Sequence, residues 1–364
     1  MESYFFSPVP STAVALLGFY YFMEEFEMEF FGLELFSSLG GGWLTAVAFV
    51  FFFAGLALVI KGGDWFVDSA SWFAEATGIP KFIVGATIVS FATTLPELLV
   101  SVRAAMSGSA QLAIGNAIGS VTANTTLIMG VSLVAMAGVI KRKEIAIRGG
   151  LLLAAIVGLT LLSLGGALPM WSAFILWAIF LTFMVVNLMD GKNASEVQVK
   201  ADYDKKEVPG RVLFFILGTA SIIFGAEFLV SSGKTIAYGF NISETIVGFT
   251  VIALGTSLPE LVTTLTAIKK KENSLSVGNI IGANIIDTTL ILPLCAVING
   301  ASLEVSTANL IFDFPICIAA AALAVVPTII AGKFKKWQGY GLLSVYAVYM
   351  LLLIFNELSI VNIG

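Results

Sequence analysis

Two segments of the chain place a glutamate inside a long apolar stretch. They read FATTLPELL over residues 91–99 and LGTSLPELV over residues 254–262, and they contain Glu97 and Glu260. A charged side chain at the centre of a membrane helix costs on the order of 3 kcal/mol by insertion scales. The basic residues lie almost entirely in polar connections, and Arg103, nearer the end of its stretch, is a weak partner for Glu97. A bound cation is therefore the expected counter-charge.

A proline precedes each glutamate and adds oxygen ligands to the predicted site. Pro96 and Pro259 have no N–H to donate to the carbonyls four residues earlier, so carbonyls of residues 92–93 and 255–256 are expected to be free. Carboxylates and carbonyls together form a hard, all-oxygen cage, which suits calcium better than magnesium. The chain has no histidine and the site no thiol, which argues against zinc or copper. The hydroxyls expected at the same level are Thr93, Thr94, Thr256 and Ser257.

The next apolar stretch after each glutamate carries a polar helical face. The segments are GNAIGSVTANTT over 115–126 and GNIIGANIIDTT over 278–289. Positions four apart share a helix face, so each segment presents one polar stripe, formed by Asn116, Ser120 and Asn124 in the first and by Asn279, Ala283 and Asp287 in the second. Asp287 is a third carboxylate, and the set would hold several monovalent ions or one divalent ion. Glycines four apart in both segments also predict close helix contacts.

Composition predicts an all-α polytopic membrane protein. The 364 residues are 58% apolar and 12% charged, about half the charge of a soluble domain. Cys295 and Cys317 lie in apolar runs and are expected to be buried.

About ten stretches are long enough to span a bilayer, at 43–60, 82–106, 111–138, 149–166, 170–189, 212–232, 245–268, 275–298, 307–330 and 338–356. The predicted units are an acidic, aromatic N-terminal extension (1–40), a first five-helix repeat (41–189), a linker (190–211) and a second five-helix repeat (212–364).

The two halves of the chain are related by an internal repeat. Residues 64–130 align without gaps with 227–293, and 23 of the 67 aligned positions are identical. Five predicted spans separate equivalent positions, so the second copy crosses the membrane in the opposite direction. Such inverted repeats are typical of secondary transporters, whose binding sites lie at the repeat interface near the midplane.

The positions of the basic residues predict the orientation. With both termini outside, 17 of the 19 lysines and arginines fall in the inner segments 61–81, 139–148, 190–211, 269–274 and 331–337, as the positive-inside rule requires. We therefore expect a multi-pass protein of the cytoplasmic membrane, with the 190–211 loop in the cytoplasm. Its expected partners are the lipid bilayer and the transported ions, with no nucleic acid and no cofactor, and we expect a monomer.

These motifs resemble those of the sodium/calcium exchangers, within the cation/calcium antiporter superfamily. GTSLPEL, TTLPELL and the two Gly-Asn segments carry the resemblance, which covers the whole ten-span plan and is closest to prokaryotic members, since the 190–211 loop is short. It implies an antiporter, not an enzyme, that exchanges calcium for sodium at one shared site. The implied calcium ligands are Glu97, Glu260, Thr93 and Thr256, and sodium would also use Thr94, Ser257, Ser120, Asn124 and Asp287.

Two alternatives to sodium–calcium exchange follow from the same residues. A calcium/proton exchanger would use buried carboxylates in a similar way, but that branch typically has a glutamate shortly after Gly-Asn, where this chain has Gly119 and Gly282. A cation channel would also use acidic residues, although channels generally build their pore from several chains. The two halves differ at two polar positions of the repeat: Ser120 is replaced by Ala283, and Ser90 by Ala253. These differences leave the sodium stoichiometry open, and potassium co-transport is open as well.

Overall fold

The computed structural model describes residues 41–136, 142–197, 204–240, 255, 257–300 and 302–357. The N-terminal extension 1–40, Thr256 and the first part of the predicted span 245–268 lie outside the described residues. The described chain is almost entirely helical. Its helices are α1 (Gly41–Thr77), α2 (Lys81–Thr93), α3 (Leu95–Met106), α4 (Ala110–Met136), α5 (Arg142–Ser163), α6 (Ser172–Val197), α7 (Val208–Gly239), α8 (Leu258–Lys269), α9 (Asn273–Ile298), α10 (Asn309–Ala331) and α11 (Lys336–Glu357).

The helices have the length and composition of membrane spans, which confirms the predicted all-α polytopic fold. Within the described residues, eight helices are long and apolar enough to cross a bilayer, and α2 with α3 forms a further, bent span. The helix α8, of 12 residues, is the described part of the predicted span 245–268.

Three helices extend well beyond their predicted bounds. The helix α1 runs unbroken through 37 residues, about 55 Å, so most of the predicted inner segment 61–81 is helical and not a loop. In the same way α6 extends to Val197 and α7 begins at Val208, so helix occupies much of the predicted 190–211 linker. Charged residues such as Lys61 and Asp64 interrupt the apolar window without interrupting the helix.

The helices α1 and α7 pack closely against each other through glycines. A Cβ atom built on Gly55 would lie 2.8 Å from the carbonyl oxygen of Gly225, and one built on Gly218 would lie 2.9 Å from that of Gly62. Only residues without side chains allow this approach, as in small-residue contacts of membrane helices generally. The two long helices therefore form a tightly packed pair.

The inner helices of the fold are α4 and α9. In their most apolar windows, 78% and 83% of the residues are buried, whereas the corresponding shares for the other spanning helices are 17–39%. These two helices carry the polar stripes of the sequence, so the stripes face protein and not lipid.

Contacts between the halves show that the repeats are inverted. Lys81, at the start of α2, forms an ion pair of 2.7 Å with Glu272, immediately before α9. The repeat equivalent of Glu272 is Ser109, which follows α3 at the far end of the bent span from Lys81. Lys81 therefore contacts a residue of the other half whose equivalent in its own half lies at the opposite end of the span, as an inverted repeat requires. The pairing of β1 (Ala167–Pro169) with β2 (Ser302–Glu304) likewise joins the ends of α5 and α9 at one face.

Arg148 was expected to lie in the polar connection 139–148, and this expectation is wrong. Arg148 belongs to α5, and its side chain is buried. Its Nε donates to Asn187 Oδ1 (2.7 Å), its Nη2 pairs with Asp190 Oδ2 (3.0 Å), and its guanidinium carbon lies 5.4 Å from the centre of the Phe82 ring. The guanidinium thus joins α5, α6 and α2.

Candidate ion-binding site

Each glutamate lies in the first turn of a helix that has a proline at its start. The helices α2 and α3 meet at 47°, with Thr94 as the N-cap of α3, and Ser257 has the same role in α8. The backbone angles of the two caps agree closely, with φ −86° and ψ 3° at Thr94 and φ −86° and ψ 6° at Ser257. Helix N-termini favour negative charge, which stabilises Glu97 and Glu260 at these positions.

Two π-helical turns complete the frame of the site. One covers Asn124–Ile128 in α4 and the other Asp287–Ile291 in α9, at equivalent positions of the repeat. A π turn widens the helix locally and is frequent at functional sites. Asn124 and Asp287 are the first residues of these turns, so both polar stripes end on a local distortion of the backbone.

Three carboxyl groups are buried together where these elements meet. Glu97, Glu260 and Asp287 have no exposed surface. Glu97 experiences electrostatic repulsion from both other carboxylates, and Glu260 from Asp287. Among the described residues, none of their six carboxylate oxygens has a hydrogen-bond partner. Buried ionised groups normally are paired or bind metals, so the arrangement calls for a cation.

Hydroxyl and amide groups surround the three carboxyls. Ser120 lies beside Glu97 and Asp287, and Thr93 lies beside Glu260. Ser257 Oγ donates to Ser120 Oγ (3.4 Å) across the two halves. These groups are buried, and they bring neutral oxygens into the neighbourhood of the charged ones.

The structure brings together most of the predicted ligand set. Asn124 joins it through its Nδ2, which donates to Ser120 Oγ (3.3 Å), while its Oδ1 has no partner among the described residues. Thr94 is at the same level, but its hydroxyl donates to the carbonyl of Ser90. Thr256 lies outside the described residues, so its predicted role stays a prediction.

One residue at the site was absent from the predicted ligands. Asn279 accepts a hydrogen bond from Thr93 Oγ1 (3.2 Å) through its Oδ1. Asn279 belongs to the polar stripe predicted for α9, and that stripe was the signal that could have identified it. Asn284, one turn before Asp287, donates to Thr125 Oγ1 (2.8 Å) and also links the halves.

The donor set is a mixed one. No three acidic, cysteine or histidine side chains of the described chain are close enough to hold a metal ion by themselves. A divalent ion here would bind the carboxylates together with hydroxyl, amide and backbone oxygens. Calcium accepts six to eight such oxygens in flexible geometry, and the residues present fit that requirement.

The predicted glycine contacts are confirmed in the second half. A Cβ atom on Gly278 would collide with the carbonyl oxygen of Phe82, and one on Gly282 would lie 2.6 Å from that of Ala86. The helix α9 therefore packs backbone to backbone on α2. No described atom beyond the neighbouring turns of α4 itself lies within 4 Å of a Cβ atom built on Gly115 or Gly119. The segment that is repeat-related to the α2 contact, residues 245–253, lies outside the described part of the chain.

Comparison with known proteins agrees with this architecture. A family model described as sodium/calcium exchanger protein matches residues 47–189 and 211–355. An uncharacterized membrane protein of Methanocaldococcus jannaschii is 30% identical over 82% of this chain and 95% of its own length. The sodium/calcium exchanger MaX1 of Methanosarcina acetivorans is 28% identical over 86% of this chain and 100% of its own.

A solved structure extends the match to three dimensions. The sodium-calcium exchanger NCX_Mj, soaked with sodium and strontium, superposes with a TM-score of 0.74 at 26% identity, covering 84% of this chain and 98% of that one. Both sequence halves, the bent span that contains Glu97 and the ten-helix inverted-repeat plan fit one architecture. The chain belongs to the sodium/calcium exchanger family of membrane cation antiporters.

Proposed function

We propose that this chain exchanges calcium for sodium across the cytoplasmic membrane by alternating access at the buried carboxylate site. The observation that carries the proposal is the cluster of Glu97, Glu260 and Asp287, fully buried and without hydrogen-bond partners for their carboxylate oxygens among the described residues. The names of the sodium/calcium exchangers MaX1 and NCX_Mj support the choice of ions.

Exchange, and not leak, follows from the charge of the empty site. Removing an ion from water costs several kcal/mol even after relaxation of the protein, and three uncompensated carboxylates buried together repel each other as well. A cation bound to Glu97 and Glu260 offsets that cost. The protein with an occupied site therefore changes its access state more readily than the protein with an empty site. Release on one side then requires another cation before the return step.

Calcium and sodium compete because they need the same oxygens. We assign calcium to Glu97, Glu260 and the backbone oxygens of Thr93 and Thr256. Sodium ions share these groups and also use the neutral ligands and the third carboxylate, which are Thr94, Ser257, Ser120, Asn124 and Asp287. Ser120 supports this division, since it adjoins two of the carboxyls and accepts a hydrogen bond from Ser257.

The membrane arrangement is part of the proposal. The two five-helix units are 41–189 and 212–364, the connection between them lies in the cytoplasm, and both termini lie outside. The distribution of basic residues supports this orientation. A single chain contributes all three carboxyls, so we propose that the monomer is the transporting unit.

Flux in reconstituted vesicles tests the function directly. Purified protein in vesicles loaded with sodium should take up radioactive calcium when sodium is absent outside, and uptake should cease when the sodium gradient is removed. Glu97→Gln and Glu260→Gln should abolish the flux, because each removes one charged ligand. Glu304→Gln is the matched control, since Glu304 is exposed on β2, and it should transport at the rate of the unmodified protein.

The imposed gradients separate the alternatives. Uptake that follows a proton gradient and ignores sodium would assign the protein to calcium/proton exchange. Uptake that additionally requires potassium would show co-transport. Calcium flux that does not saturate and needs no counter-ion would indicate a channel and contradict the proposal.

A further inference from the structure

In the first half of the chain, an amide link fixes the glutamate-bearing helix. Asn116 Nδ2 donates to the backbone carbonyl of Glu97 (3.2 Å) and to Ser101 Oγ (2.9 Å). Both acceptors belong to α3, whereas Asn116 belongs to α4. The link therefore fixes the first turn of α3, and with it Glu97, relative to the inner helix.

The second half contains the same three groups at equivalent positions. Asn279 corresponds to Asn116, Glu260 to Glu97 and Thr264 to Ser101. The exchange of serine for threonine keeps the hydroxyl acceptor. The second half therefore has the chemical groups for the same link, between α9 and the first turn of α8.

The link of the second half is not formed in this conformation. Within the described chain, Asn279 Nδ2 and Thr264 Oγ1 have no hydrogen-bond partner. Both residues have no exposed surface, so water at the surface does not satisfy them. Asn279 instead accepts from Thr93 Oγ1 (3.2 Å), in the other half of the protein.

Buried polar groups are almost always hydrogen-bonded, and a fully buried donor and acceptor left unpaired call for an explanation. Here the unpaired donor is Asn279 Nδ2 and the unpaired acceptor is Thr264 Oγ1. They are the repeat equivalents of Asn116 Nδ2 and Ser101 Oγ, which bond to each other. The inverted repeat makes possible a second access state in which each half takes the arrangement that the other half now has. In that state the donor of Asn279 and the hydroxyl of Thr264 would meet, and Asn116 would leave Ser101.

We propose that Asn116–Ser101 and Asn279–Thr264 are two alternative amide links, one formed in each access state, that position the two glutamates in turn. This inference rests on the proposed alternating-access function. Asn116 and Asn279 are then positioning residues, which act on the ions through Glu97 and Glu260. Asn279 also connects the change to the site, because its present partner is Thr93.

Two hydroxyl removals should shift the equilibrium between access states in opposite directions. Ser101→Ala removes a link formed in the conformation described here and should lower its population. Thr264→Val is nearly isosteric and leaves the present contacts unchanged. Because it removes the link of the other state, it should raise the population of the conformation described here. A single neutral hydrogen bond corresponds to a shift of about fivefold in each case.

The test uses vesicles with the protein in one orientation. The measured quantity is the ratio of the apparent calcium KM at the two membrane faces, which a general loss of stability would not move. We expect Ser101→Ala and Thr264→Val to change this ratio by about fivefold in opposite directions. Thr263→Val is the matched control, because Thr263 is buried and unpaired in the same helical turn, and its repeat equivalent, Val100, has no hydroxyl. Thr263→Val should leave the KM ratio unchanged. Thr264→Ser retains the hydroxyl, so it should show the KM ratio of the unmodified protein.

Hydrogen exchange of the full-length protein gives a readout that needs no transport. Backbone amides of the α3–α4 and α8–α9 connections should change exchange rate in opposite senses in the two variants. Shifts in the same direction, no shift, or an equal effect of Thr263→Val would overturn the proposal of alternative links. Absence of sodium-dependent calcium flux in the unmodified protein would instead refute the proposed function, while the exchange rates would still decide the question of the links.

Discussion

Replacing Gly282 with alanine tests the backbone contact that places α9, and so Asp287, against α2. A Cβ atom at this position would lie 2.6 Å from the carbonyl oxygen of Ala86 and 2.5 Å from Ser90 Oγ. The serine hydroxyl can rotate away, but the carbonyl belongs to the helix backbone. Because real Cβ contacts shorter than 3.0 Å are essentially never seen, the two helices would have to separate by about 0.4 Å.

Such a separation is expensive for a packed helix pair. Insertion of one extra carbon into a well-packed region typically costs about 1–3 kcal/mol, and the backbone contact puts Gly282→Ala near 2 kcal/mol. The free energy of unfolding should be measured by denaturant titration in mild detergent. Gly150→Ala is the control: no described atom lies within 4 Å of a Cβ there, and alanine is the better helix former by about 1 kcal/mol.

The outcome of that comparison is decisive for the packing. We expect Gly282→Ala to be less stable than the unmodified protein, and Gly150→Ala to be equally stable or slightly more stable. If the two variants unfold alike, α9 does not contact α2 through its backbone, and the placement of Asp287 at the site loses its support.

Two further predictions concern buried side chains. Arg148→Met should lower the free energy of unfolding by about 2 kcal/mol, because buried Asn187 loses its donor, whereas Asp190, with its side chain 33% exposed, retains contact with solvent; the same titration measures it, and an unchanged stability would contradict the buried contact. Cys295 and Cys317 have no exposed surface, so a maleimide should modify neither in the folded protein and both after denaturation in detergent, as mass spectrometry of the intact protein would show.

The elements around the glutamates could be predicted because their causes are local. A proline inside an apolar helix removes a backbone donor, and the helices α3 and α8 begin after the caps Thr94 and Ser257, two residues before Pro96 and Pro259. The inverted repeat required only a gapless alignment and an odd number of spans. Glu97 and Glu260 could therefore be brought to one site without any tertiary information.

Other features depend on partners distant in sequence or on backbone geometry without a sequence signal. Arg148 follows a basic connection, and nothing nearby indicates that Asn187 and Asp190 fold beside it. The π turns beginning at Asn124 and Asp287 have no residue pattern that distinguishes them from regular helix. The length of α1 was underestimated because a hydropathy window ends at charged residues, whereas a helix continues wherever those residues can reach ion partners or water.

Which of two equivalent contacts forms also lies beyond the sequence. The repeat gives Asn116 and Asn279 the same neighbours, yet one amide bonds within its own half and the other bonds to Thr93. In the proposed alternating-access cycle the two halves differ in arrangement at any one time, which accounts for the two different contacts. The difference belongs to the conformation and not to the residues.

Equilibrium binding of calcium to the purified protein tests the central claim most directly. We expect one calcium ion per chain, displaced by sodium in a competitive manner. Two unit charges 4 Å apart interact by about 4 kcal/mol at an effective dielectric constant of 20, so Glu260→Gln should weaken calcium binding by at least about 100-fold. Calcium binding that is unaffected by Glu260→Gln, or that sodium does not displace, would contradict a shared site at the buried carboxylates.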